Sequence, residues 1–504
     1  MNPLADGLVA PLARRPEMIL VNADSTEVSG VELFNLSGQI ANVLLNAGVK
    51  PGDRVAMQTE KSVPALALYL ACLRAGALFL PLNTAYTAAE LEYFLGDAEP
   101  TVVVCDPKVQ RTLTPMAAAK DISLLTLDAW GNGTLSDLAA TSPTTFTTAD
   151  RSNDDLAAIL YTSGTTGRSK GAMLSQDNLL SNADSLVEAW KFTSNDTLLH
   201  ALPIFHAHGL FVATNVLLRA NGRMIFLPKF NLDTVIAMLP KATTMMGVPT
   251  FYTRLLSDAR FTPELTRHMR LFISGSAPLS AETNLEFETH TGHRILERYG
   301  MTETTMSTSN PYVGERRVGT VGLPLPRVEA RITDKETGKT LPQGDTGILE
   351  VRGPNVFKGY WRMPEKTAEE FREEGFFKTG DVARIDADGY VTIVGREKDL
   401  VITGGYNVYP KEIETEIDAL DGVLESAVIG APHPDFGEAV VAVVIAVEGI
   451  VLKEGAIQSA LQERLAKFKC PKAVFLRDEL PRNTMGKVQK NVLRDQLANT
   501  FKQA

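Results

Sequence analysis

Residues 156–175 read LAAILYTSGTTGRSKGAMLS. The run LAAILYT (156–162) is apolar and of strand length, and a helix-like stretch begins near Ser175. Between them, a loop rich in glycine and hydroxyl residues can wrap backbone N–H groups and Ser/Thr oxygens around phosphate, with a lysine as a point charge. Thr162, Ser163, Gly164, Thr165, Thr166, Gly167, Arg168 and Lys170 are therefore the candidate phosphate-binding residues. This is not a Walker A loop: Lys170 follows Gly167 by three residues, and no Ser or Thr comes after it. A solvated surface loop is the plain alternative, and the composition with two basic side chains argues against it.

Outward from that stretch the texture repeats. VVVC (102–105), MIFLP (224–228) and LFISG (271–275) are apolar runs of strand length, each followed by turn-forming residues and a longer mixed segment. Continuous apolar strands belong to parallel sheets covered on both faces, which predicts a layered α/β architecture. From about residue 330, ARITD, GILEVRG and GYVTIVG alternate and carry Gly turns, as a small antiparallel β subdomain does. After GREKD (395–399) come KEIETEIDAL, ESAVIGAP, AVVAVVIAV and IQSALQERLAKF, the scale of a separate α+β domain. The expected division is 1–395 and 396–504.

The 504 residues are 44% hydrophobic and 22% charged, which supplies apolar material for several cores and excludes a disordered chain. A net charge of −10 argues against a dedicated nucleic-acid binder. Cys72, Cys105 and Cys470 are too few and scattered for a disulfide framework, so a reducing, cytoplasmic setting is expected. Residues 63–82 are long enough to span a bilayer, but Pro64, Arg74, Gly76 and Pro81 interrupt them; a buried helix running into a buried strand is the better reading.

Four further motifs follow the loop: YGMTE (299–303), TGD (379–381), GREKDLVITGGYNVYPKEIE (395–414) and PRNTMGKVQK (481–490). Together, in this order and across nearly the whole chain, they resemble the adenylate-forming acyl-CoA synthetases. The resemblance implies a large N-terminal domain and a small mobile C-terminal lid. It also implies a two-step reaction in which a carboxylate attacks the α-phosphate of ATP and a thiol, here CoA, then displaces AMP. By resemblance, Tyr299 stacks on adenine, Thr302 donates to the α-phosphate and Glu303 is a ligand for Mg2+. Gly275, Ala277, Glu297 and Gly300 fall to the nucleotide, Asp381 to the ribose and Arg396 to a second nucleotide contact. Lys487 is the implied catalytic lysine of the first step, Lys398 stands at the hinge, and Gly404 and Gly405 let pantetheine approach the backbone.

Between Arg464 and Arg494 nine basic residues face two acidic ones, a local +7. That is either a solvated face or an attraction for the phosphates of CoA. The segments at the acid end are polar: HALPIFHAHG (200–209) puts His206 at the mouth, and Arg254, Ser276 and Arg298 follow. A buried arginine needs an anionic partner, and two arginines with a serine make a fork for a second carboxylate. The alternative is that they pair with nearby acids such as Glu297. ERYGMTET, VPTFYTR and SGSAPL resemble the malonate–CoA ligase branch, with Met306 as the floor of a small pocket. Malonate is the expected acid, with methylmalonate as a second. Another small or aromatic acid, or a stand-alone adenylation domain loading a carrier protein, is the alternative; no nucleic acid, membrane or obligatory protein partner is expected.

Overall fold

The computed structural model describes residues 1–22, 26–162, 169–403, 406–483 and 486–501, the Asn407 side chain excepted. These residues form two compact units, Met1–Glu329 with Arg352–Phe377, and Ala330–Val351 with Lys378 onward. The small β sheet thus groups with the C-terminal segment by compactness.

The first unit holds two sheets dominated by parallel strands. A nine-stranded sheet carries Thr197–His200, Arg223–Phe226, Thr244–Gly247, Leu271–Ser274 and Leu296–Tyr299 among its members. Consecutive parallel partners are in register at Met246↔His200, Gly247↔Ser274 and Ser274↔Glu297. Their carboxyl ends therefore form one edge, the place where open α/β sheets bind ligands. A six-stranded sheet ends with Leu156–Thr162 paired antiparallel to Lys170–Ser175. The phosphate-loop motif therefore joins two strands, and the helix Gln176–Trp190 follows only after the second, capped by the Ser175 hydroxyl.

The apolar run 63–82 folds as the helix Val63–Ala75 and the strand Leu78–Pro81. Ser62 caps the start, Pro64 sits in the first turn, and Gly76 ends the helix at φ 69, a conformation that favours glycine. Arg74 is buried against Phe34, 4.3 Å from its ring, and donates to the Phe34 and Phe146 carbonyls. Among the described residues no helix is long and apolar enough to cross a membrane.

In the second unit, four strands from Glu329–Thr333 to Val391–Arg396 make the small sheet. Beyond it, Val423–His433 and Gly437–Ala446 form a long antiparallel pair, and Ala473–Arg477 adds in parallel. Val440, Ala442 and Val444 face one apolar cluster, and Val441, Val443 and Ile445 the other. Burial on both faces is why AVVAVVIAV shows no alternation.

Candidate active site

The carboxyl edge of the nine-stranded sheet carries the acid-end residues. Arg298 leaves the strand Leu296–Tyr299 and is 5% exposed. Its guanidinium lies over Gly275, where a Cβ would fall inside it, so glycine is needed for the approach. Among the described residues Nε and Nη2 have no hydrogen-bond partner. These two donors share one edge of the guanidinium and match a carboxylate bidentately. Burial holds this arginine well below its ordinary range, at about 9. The pairing with Glu297 that the sequence left open is not made: Glu297 is buried and accepts instead from the Leu279 N–H at 3.4 Å.

Ser276 follows Gly275 with φ +69, a region non-glycine residues seldom occupy and one that recurs at binding sites. Its Oγ is 3.1 Å from His208 Nδ1. Sequence reading chose His206 and missed His208. Of the two, His206 is half-buried, and its Nδ1 accepts from the His208 N–H at 3.3 Å. His208 is 1% exposed and opens the π-helical segment His208–Thr214, a widened turn frequent at functional sites. That turn is pinned from below by His200, whose Nε2 lies 2.8 Å from the Gly209 carbonyl and 3.2 Å from Thr214 Oγ1. His200 Nδ1 in turn meets the buried Lys61 Nζ at 2.9 Å, and Lys61 also donates to the His200 and Leu202 carbonyls. Burial pushes the Lys61 ammonium and the His200 ring well below their usual ranges.

Met306 is buried, with its Cε close to where a Gly300 Cβ would stand, and its carbonyl accepts from Asn182 and Asn355. Arg254 differs from Arg298: it is exposed on the last turn of Pro249–Leu256, away from that helix's buried Tyr252 and Leu255. Ala277, Tyr299 and Thr302 are half-buried.

On the phosphate side, Lys170 Nζ stands 4.1 Å from the centre of the Tyr360 ring, and the Tyr360 hydroxyl donates to Glu303 Oε1 at 2.9 Å. Glu303 is 5% exposed. Tyr360, which no motif flagged, arrives because residues 358–361 run beside Lys170–Ser175, bridging Ala172 to Tyr360. Thr162 pairs with Lys170 across the hairpin. Ser163, Gly164, Thr165, Thr166, Gly167 and Arg168, like Gly404 and Gly405, lie outside the described residues.

In the second unit, Arg396 lies opposite Asp381 in the strand register and binds its carboxylate at 2.7 Å. Lys398 sits in the short turn Glu397–Asp399; burial and the charges of Arg396 and Lys487 lower it to about 8. Lys487 is exposed as a residue, yet its amine is crowded enough that burial, then Arg396, lowers it also. The basic run around it is largely neutralised. Arg464 pairs with Glu416, Lys469 with Glu412, Arg482 with Glu425, Lys490 with Glu414 and Arg494 with Asp399.

Residues 9–361 match the family model for AMP-binding enzymes, and residues 412–487 match that for the AMP-binding enzyme C-terminal domain. The chain belongs to the AMP-binding enzyme family. Within that family it is 35% identical over 486 residues to a malonate–CoA ligase of Arabidopsis thaliana, covering 90% of this chain and 79% of that protein. It is 34% identical over 484 residues to a feruloyl-CoA synthase of Amycolatopsis sp, covering 95% and 96%. Among solved AMP-binding enzymes, ATP-bound MatB from Rhodopseudomonas palustris is 58% identical, covers 100% of both chains and superposes with a TM-score of 0.97.

Proposed function

We propose that this chain joins malonate to coenzyme A at the expense of ATP. In the first step an oxygen of one carboxylate bonds the α-phosphorus of ATP and the bond to pyrophosphate breaks. In the second the CoA sulfur bonds the acyl carbon and AMP leaves. The observation that carries the choice of acid is the buried Arg298, with two same-edge donors that have no partner among the described residues. A short dianion whose second carboxylate sits on that fork satisfies both the charge and the hydrogen bonds. A malonate–CoA ligase among the relatives supports the same reading. The feruloyl-CoA synthase favours an aromatic acid, which would leave Arg298 buried and unmatched.

Charge repulsion between carboxylate and triphosphate is relieved by Lys170, by Lys487 and by Mg2+ arriving with ATP. Glu303 would hold that ion, since Mg2+ takes one or two carboxylates besides phosphate oxygens, while Thr302 would donate to the α-phosphate. Among the described residues no group of three or more His, Cys, Asp or Glu side chains could form a separate metal cage. Tyr299, Asp381 and Arg396 take the nucleoside, the functional boundary falls at 395/396, and the C-terminal domain turns about Lys398 to exchange Lys487 for the CoA site at Gly404 and Gly405. Three free, buried cysteines suit a reducing cytoplasm.

Pyrophosphate exchange into ATP tests the reading. Malonate should drive it best, methylmalonate less, and succinate, acetate and benzoate weakly, with malonyl-CoA forming once CoA is added. Faster exchange with benzoate than with malonate would overturn the assignment of the acid.

A further inference from the structure

We infer that His208 is a second anchor for the acid, its Nε2–H donating to the same distal carboxylate that Arg298 holds. The inference rests on the malonate reading and extends it to a residue that neither the motifs nor the polarity of the pocket segments singled out. His208 and Arg298 converge on consecutive residues: the guanidinium lies over Gly275, and the imidazole bonds through Nδ1 to Ser276 at 3.1 Å. Both side chains are buried, and both keep nitrogens there without a partner among the described residues, Nε and Nη2 of the arginine and Nε2 of the histidine. Buried polar atoms without partners are scarce in folded proteins, because each forgoes its solvation with nothing in return. Three on two side chains meeting at one backbone turn mark a place where a ligand supplies the acceptors.

The proton's position follows from the neighbours. The Ser276 hydroxyl can donate to Nδ1, which leaves the hydrogen on Nε2, the nitrogen without a partner. Ser276 is held for this by its positive φ, and the ring by the π-helical turn that begins at His208. Burial and the charges of Arg298, His206 and His200 keep the imidazole neutral. The anchor therefore combines one cation with one neutral donor and matches the single charge of a distal carboxylate. Two cations side by side would repel each other whenever the acid is absent.

The alternative is a structural histidine whose Nε2 is met by water. Two substitutions separate these readings, because a glutamine amide reaches the place of Nε2 whereas an asparagine amide reaches only that of Nδ1. His208→Asn should keep the contact with Ser276 and lose the outer donor, lowering the ratio of malonate to acetate kcat/KM about 10- to 100-fold through malonate KM. His208→Gln should recover most of that ratio, with ATP KM steady in both. In the parent enzyme, nitrogen-15 spectra should show the hydrogen on Nε2, with its resonance moving on addition of malonate. If Asn and Gln variants behave alike, or malonate and acetate fall by one common factor, the histidine is structural and the inference is wrong. Arg298→Leu, assayed alongside, keeps the two claims apart. Discrimination lost there but untouched by His208→Asn sinks only the histidine anchor, whereas no effect of Arg298→Leu on discrimination sinks the malonate reading itself.

Discussion

Arg298→Leu should leave the free protein at least as stable and make it a far worse enzyme for its acid. The guanidinium is held at about 9 instead of 12.5, so keeping it charged without a bound anion costs about 5 kcal/mol. No anion among the described residues is paired with it, and replacing a buried charge by an apolar side chain of similar size is commonly neutral or stabilising by about 1–4 kcal/mol. The thermal midpoint of the ligand-free variant should therefore stay level or rise. In catalysis the same change removes a two-pronged, charge-assisted contact in a water-poor site. Such a loss weighs about 2–4 kcal/mol, or about 30- to 1000-fold in kcat/KM for malonate. Acetate, with no second carboxylate, should suffer little, and ATP KM should hold. The assays are scanning calorimetry without ligands and initial rates with each acid across a range of ATP. A lower midpoint together with equal losses for malonate and acetate would refute the reasoning and leave Arg298 as a structural cation.

Lys487→Ala should abolish pyrophosphate exchange yet leave thioester formation from supplied malonyl-adenylate nearly intact; equal losses would rule out a role confined to the first step. Lys398→Pro, which fixes φ inside the turn Glu397–Asp399, should slow the thioester step more than exchange, and matched rates would move the hinge elsewhere. Tyr360→Phe removes the hydroxyl from Glu303 but keeps the ring under Lys170, so activity at limiting Mg2+ should drop about tenfold and Tyr360→Leu should drop further; a Phe variant that titrates with Mg2+ like the parent refutes the coupling. Asp418 is pushed up to about 6 by burial, against the pull of its bond from Ser426. Between pH 4 and 6 the folded chain thus keeps a proton that the unfolded chain releases, and stability falls as pH rises through that window. Asp418→Asn should raise stability at pH 7.5 by about 2 kcal/mol and not at pH 4, read as the shift in thermal midpoint; a gain equal at both pH values would contradict it.

Much of the fold was legible because period and burial agree. AVVAVVIAV without alternation means a strand covered twice, and two clusters cover Gly437–Ala446. The helix-then-strand reading of 63–82 rested on Pro64 and Gly76, which stand at its start and stop. Local signals failed where tertiary placement decides. His206 and His208 are two residues apart in one motif, and only the widened turn determines that the second is the buried one facing Ser276. Lys61 stands outside every motif, yet it is 4% exposed. Tyr360 belongs to no motif and meets Glu303 through strand pairing alone. The basic run stayed open between a solvated face and an anion attractor because its partners, Asp399, Glu412, Glu414, Glu416 and Glu425, come from earlier elements that a count within 464–494 cannot see.

The knot of Lys61 and His200 has a consequence for changing what the enzyme accepts. Lys61 follows the strand Arg54–Gln58 of the six-stranded sheet, and His200 ends a strand of the nine-stranded one. Their shared bond reaches on to Gly209, the residue after His208. The turn that walls the acid end is thus moored to both sheets at once, and a Cβ at Gly209 would strike the Pro203 carbonyl. Pushing that turn outward to admit a bulkier acid means breaking hydrogen bonds made by a desolvated amine and imidazole, which no trimming of pocket side chains relieves. Attempts to widen the enzyme's diet should begin at position 61, in a stretch of sequence remote from every motif.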